Sequence, residues 1–95
     1  MTETANLKEI INQDGTFLVD VRTPQEFKEG SARNAVNIPL DQIPQRLSEF
    51  QGKKTIVLFC RSGNRSEMAK QILQGYGITN AINAGTWQDV SRHQY

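Results

Sequence analysis

The chain has 95 residues, with 11 basic against 10 acidic side chains and a single cysteine. That length suits one domain with one modest core, and the near neutrality excludes nucleic-acid or membrane binding through bulk charge. The lone cysteine excludes an internal disulfide, a multi-cysteine zinc site and a two-cysteine redox cycle within the chain, so a reducing, cytoplasmic setting is expected.

The opening MTETANLKEI has neither a basic leader nor a long apolar run, so no signal peptide is expected unless one has been trimmed away. Leu7, Ile10 and Ile11 share one helical face, and Asp14-Gly15 ends it. Phe17 to Val21 is a short apolar run suited to a strand buried on both faces. Thr23-Pro24-Gln25-Glu26 reads as a helix start: threonine caps, proline takes the first turn, and Glu26 completes a capping box. Gly30 closes that helix. Ala35 to Ile38 is a short strand stopped by Pro39, and Asp41 caps a helix that turns Ile43, Leu47 and Phe50 inward.

Thr55 to Phe59 carries the strongest strand signal, rich in β-branched and aromatic residues. The loop CRSGNRS follows. Met68, Ile72, Leu73 and Tyr76 then form a helical stripe read as a buried face, and Gly77 stops the helix. Asn80 to Asn83 is a last short strand, and Trp87 and Val90 belong to a final short helix. The alternation of strands and helices predicts an α/β fold, a small parallel sheet of four or five strands with helices on both faces, in one domain spanning residues 1–95. Ligands bind beyond the carboxyl ends of such strands, where Asp20 and Cys60 share one rim if the strands are parallel.

Cys60 follows a strand and precedes a helix, with Arg61, Ser62, Gly63, Asn64 and Arg65 between. Gly63 permits backbone angles closed to other residues, so the loop can curl its N–H groups toward one point. The helix beyond adds unpaired N–H groups, with Asn64 as its cap. Arg61 and Arg65 add charge. Each effect favours thiolate over thiol and makes Cys60 a nucleophile. An isolated cysteine is more often an inert apolar side chain; here the order strand, cysteine, glycine loop, helix turns the reading toward reactivity.

These residues resemble the rhodanese family of thiosulfate sulfurtransferases along nearly the whole chain. Asp20-Val21-Arg22 with Glu26-Phe27, then Asn37-Ile38-Pro39, the loop Cys60 to Ser66, and Gly85 with Trp87 carry the likeness. Gly30 to Ala35 departs from the family's G-H-I-x-G-A in lacking the histidine, isoleucine and second glycine, and Ala84-Gly85 stands where two glycines are usual. The resemblance implies that Cys60 takes a sulfur from a thiosulfate-like anion as a persulfide and yields it to a thiophilic acceptor, cyanide or a thiol, or to a sulfur-accepting protein. It implies that the loop amides hold the persulfide and that Arg61, with Arg65, attracts the donor. Ser66 and Asp20 support the site; Asp20 either accepts loop N–H groups or caps a turn. No cofactor, metal, nucleic acid or membrane is expected to take part.

Arg22 and Glu26, four apart, read as a structural pair, His93 as a solvated side chain and Trp87 as packing. One alternative is a persulfide carrier or binding module serving a partner protein. Another is a cysteine-dependent phosphatase, whose loop places its arginine six positions after the cysteine; here Ser66 holds that place.

Overall fold

The computed structural model describes residues 6–95. Residues 1–5, part of the stretch read for signal features, lie outside the described residues. The chain runs through α1 (Leu7–Asn12), β1 (Thr16–Asp20), α2 (Pro24–Glu29), β2 (Val36–Asn37), a 3₁₀ segment (Leu40–Phe50), β3 (Thr55–Cys60), α3 (Asn64–Gly75), β4 (Ala81–Thr86) and α4 (Trp87–His93). The four strands form one parallel sheet in the order β2-β1-β3-β4. The chain leaves β1 in one direction and β3 in the other, so the strand order reverses between these neighbours. Asp20 pairs in register with Phe59, which brings the ends of β1 and β3 to one rim. A crevice at such a reversal is where open parallel sheets bind ligands.

Period-two alternation divides the core. Val19, Val21, Ile56, Leu58 and Cys60 point to one face, where Ile43 and Phe50 of the 3₁₀ segment and Ala69 and Leu73 of α3 cover them. Leu18, Val57 and Phe59 point to the other, against Ile11 of α1 and Val90 of α4. Burying an aliphatic side chain of this kind contributes about 1.5–3 kcal/mol, so both helix layers are held chiefly by the central pair of strands.

The start of α2 forms as its residues dictate. Thr23 accepts from the Glu26 amide, Glu26 reaches back to the Thr23 amide, and Pro24 opens the helix. Other local expectations are corrected. The segment after Pro39 is 3₁₀, not α, and its cap position is Pro39, without a side-chain cap from Asp41. Pro44 cannot donate to the carbonyl four residues back, and Arg46 leaves helical angles at φ −123°, so a continuous α ladder is blocked. On α3, Met68 and Tyr76 are 52% and 56% exposed; the buried face is Ser66, Ala69 and Leu73, with Ile72 half-buried. Of the stripe Met68, Ile72, Leu73 and Tyr76, Leu73 and Ile72 therefore pack against the sheet, whereas Met68 and Tyr76 face outward.

Candidate active site

Cys60 is the last residue of β3, and α3 begins only at Asn64. The turn between them is made by Gly63, at φ 97°. A Cβ at this position would stand 3.4 Å from the Gly85 Cα, so glycine serves both the left-handed backbone and the close approach of the loop to β4. This geometry aims the Gly63 N–H at the Cys60 Sγ, 3.0 Å away. Gly63 itself, not Asn64, occupies the cap position, and it makes no side-chain cap bond; Asn64 is the first helical residue. The cap predicted at Asn64 is thus replaced by a backbone turn.

Burial pushes the Cys60 thiol up. The Ser66 hydroxyl, with its proton turned to the sulfur, would pull it down; the amides of Ser66, Ser62 and Gly63 do so, and the net direction is below the usual thiol value. A sulfur anion facing several N–H groups is the arrangement expected of an anion-binding nest. That sulfur does not stand open to solvent: residue 60 is 0% exposed. The sulfur faces the α3 side of the sheet with Leu58, so the pleat itself turns it inward. Its loop is one layer deep, with Arg61, Ser62 and Asn64 exposed. The exposed loop therefore lies between the sulfur and solvent.

Asp20 is fully buried at the end of β1, but its partners lie away from the loop. Its Oδ1 accepts from the Arg22 amide at 3.0 Å, Arg22 Nη2 donates to Oδ2 at 2.7 Å, and the Ser31 hydroxyl donates to Oδ2 at 2.7 Å. Arg22 also donates to the Gly30 carbonyl and lies over the Trp87 ring, 5.2 Å from its centroid. Of the two roles open to Asp20, these bonds match the turn cap; among the described residues none joins it to the cysteine loop.

The expected Arg22–Glu26 pair is absent. Arg22 turns to Asp20 because that carboxylate is buried two residues away, and Glu26 turns outward to Arg65. Arg65 Nη1 and Nη2 reach the two Glu26 oxygens at 2.7 and 3.0 Å. This two-point bond ties the loop end of α3 to the start of α2. Arg65 is therefore already engaged, whereas Arg61 is exposed at the mouth of the loop.

The missed residue is Asn83 on β4. Its side chain bonds the Gly63 carbonyl, the Gly85 amide, Ser66 and Glu67. In the parallel register it lies beside Leu58, and so on the same face as Cys60. Between Leu58 and Cys60 the pairing partner advances from Asn83 to Thr86, one residue more than the register requires. This bulge, with Gly85 at φ 85°, lets β4 bend against the loop.

The rhodanese-like domain family matches residues 3–92. The chain belongs to that family. A thiosulfate sulfurtransferase of Escherichia coli, PspE, is 33% identical over 75 residues, covering 77% of this chain and 72% of its own length. A sulfurtransferase of Allochromatium vinosum is 39% identical over 78 residues, covering 80% of this chain and 73% of its own. Among solved structures, a rhodanese with anions from Escherichia coli superposes with a TM-score of 0.71 at 33% identity, covering 78% of this chain and 89% of that one. A rhodanese-like domain protein from Staphylococcus aureus gives 0.75 at 30% identity, covering 87% and 80%.

In this rhodanese-like chain the place usual for the family's histidine is held by Ser31, whose hydroxyl serves Asp20. The Glu26–Arg65 bond carries a pH signature. Hydrogen bonds from the Arg65 side chain, then from the Thr23 backbone, lower the Glu26 carboxyl from 4.5 to about 2. A lowered carboxyl stabilises the fold fully above the unfolded value and loses that contribution as pH falls toward the folded one. Glu26→Gln is expected to flatten the fall in stability between pH 4.5 and about 2. Denaturant midpoints of both proteins across that range check it; parallel curves would show that the bond is idle. The effect is modest because both side chains are partly exposed.

Proposed function

We propose that the protein is a sulfurtransferase that moves sulfane sulfur from thiosulfate, or a similar anion, to a thiophilic acceptor through a persulfide on Cys60. The observation that carries this reading is the Gly63 N–H held 3.0 Å from the sulfur, in a loop whose other amides also lower the thiol. The thiolate attacks the outer sulfur of thiosulfate. The donor's S–S bond breaks, its electron pair leaves on sulfite, and a Cys60 persulfide anion forms. The loop N–H groups then face an anion throughout, an electrostatic role of the oxyanion-hole kind. Cyanide attacks the outer sulfur, leaves as thiocyanate and returns the thiolate.

Arg61 supplies positive charge at the loop mouth, where a dianionic donor arrives. Arg65, bound to Glu26, holds the loop rather than the donor. No second cysteine exists to take the sulfur internally, so discharge is to another molecule. The test is turnover with thiosulfate and cyanide, followed as thiocyanate. Sustained turnover supports the enzyme. A protein that loads one sulfur but releases it only to another protein is a carrier, and one that hydrolyses aryl phosphates through Cys60 is a phosphatase.

A further inference from the structure

Ser66 is fully buried beside Cys60, and its hydroxyl has one proton. Its Oγ lies 2.6 Å from the Asn83 Oδ1 and 3.5 Å from the Cys60 Sγ. The orientation of the Asn83 amide is fixed by its other partners. Its oxygen accepts from the Gly85 N–H at 3.0 Å. Its nitrogen donates to the Gly63 carbonyl at 3.0 Å and to the Glu67 carboxylate at 3.2 Å. Turned over, the amide would set NH₂ against N–H and oxygen against two acceptors. An acceptor thus faces Ser66 at short range, and Ser66 donates to it. The hydroxyl then has only lone pairs to offer the sulfur.

We propose that Asn83 is a positioning residue for the reactive sulfur: it holds the Ser66 proton, so that Ser66 accepts from the Cys60 thiol and gives nothing to the thiolate. Ionised sulfur and Asn83 Oδ1 compete for one hydrogen, and the shorter bond to Asn83 wins. The anion rests on the backbone amides, and Asn83 steadies these as well through the Gly63 carbonyl. This inference depends on Cys60 being the reactive sulfur, but it is read from ionisation alone, so a failure to turn over thiosulfate would leave it standing. The charged groups near the sulfur are Arg61 in the loop, Arg65 paired with Glu26, Asp20 paired with Arg22, and Glu67 bonded to Asn83. Each keeps its charge in the variants below.

The experiment is the pH dependence of Cys60 alkylation by a small reagent, in the full chain and in Ser66→Ala, Asn83→Ala and the double variant. Asn83→Ala frees the hydroxyl to turn to the sulfur, so the thiol pKa should fall by roughly one unit, about tenfold in thiolate fraction below the midpoint. The double variant should return that fall. Ser66→Ala alone should leave the midpoint unchanged or slightly lower, because the thiol loses an acceptor and the thiolate loses no donor. A rise in Asn83→Ala is what loosened amides alone would give, and either that or an unchanged midpoint overturns the proposal. If Asn83→Ala does not fold, Ser66→Ala decides: a rise of about one unit overturns the proposal and no rise supports it.

Discussion

Cys60→Ser should take up no sulfur. After thiosulfate treatment the native protein is expected to gain the mass of one sulfur atom and lose it to cyanide, while the variant's mass stays constant. The effect is complete because the chain has no other thiol and a serine hydroxyl is not ionised at neutral pH. Loss of fold would not account for the result. The substitution replaces sulfur by oxygen at a fully buried position, but the Gly63 amide and Ser66 remain to bond the new hydroxyl. A melting temperature within a few degrees of the native one would confirm this. A variant that still gained a cyanide-labile sulfur would place the chemistry elsewhere.

The largest effect on stability is expected from Asp20→Ala. Asp20 is 0% and Arg22 5% exposed, so the pair lies wholly within the protein. Removing the carboxylate leaves the guanidinium with the Gly30 carbonyl and the Trp87 ring as its remaining partners, and strips the Ser31 hydroxyl of its acceptor. Breaking a buried ion pair by deleting one member costs about 3–5 kcal/mol. Against a typical total of about 5–15 kcal/mol, that is a large fraction of the stability. Chemical denaturation should show the midpoint falling accordingly, and a loss below about 1 kcal/mol would mean that the pair is not what organises the end of β1. The cysteine loop shares no hydrogen bond with Asp20 among the described residues, so the folded fraction of this variant should still load sulfur.

Much of this was legible in the chain. Strand runs Phe17 to Val21 and Thr55 to Phe59 are apolar because both faces of β1 and β3 are covered, and a short apolar run between turn signals has few other uses. The capping box at Thr23 and Glu26 is local chemistry, complete within four residues, and it forms as written. The loop was visible for the same reason: a cysteine, a glycine and a helix start in a fixed order.

What escaped the sequence depends on neighbours distant along the chain. Glu26 meets Arg65 across 39 residues, and Asn83 meets Gly63 across 20. Nothing in NAGTW announces that its asparagine serves a loop; only the parallel register of β3 with β4, and the bulge at Gly85, bring it there. One signal was present but unused, an asparagine two residues before a glycine that breaks strand pairing. The stripe Met68, Ile72, Leu73 and Tyr76 is right at Ile72 and Leu73 and wrong at Met68 and Tyr76, because helical period alone does not say how far round the helix the buried face extends. Ala69 and Leu73 are buried where α3 lies over β3 and β4.

The central claim is that backbone amides hold an anionic sulfur at Cys60. Its most direct test is the rate of Cys60 alkylation by a small reagent in the native protein, followed against pH. A single ionisation below the ordinary thiol value of about 8.5 is predicted, at a rate that falls with larger reagents as the loop resists their entry. A midpoint at or above that value, or a cysteine that reacts only after unfolding, would contradict it.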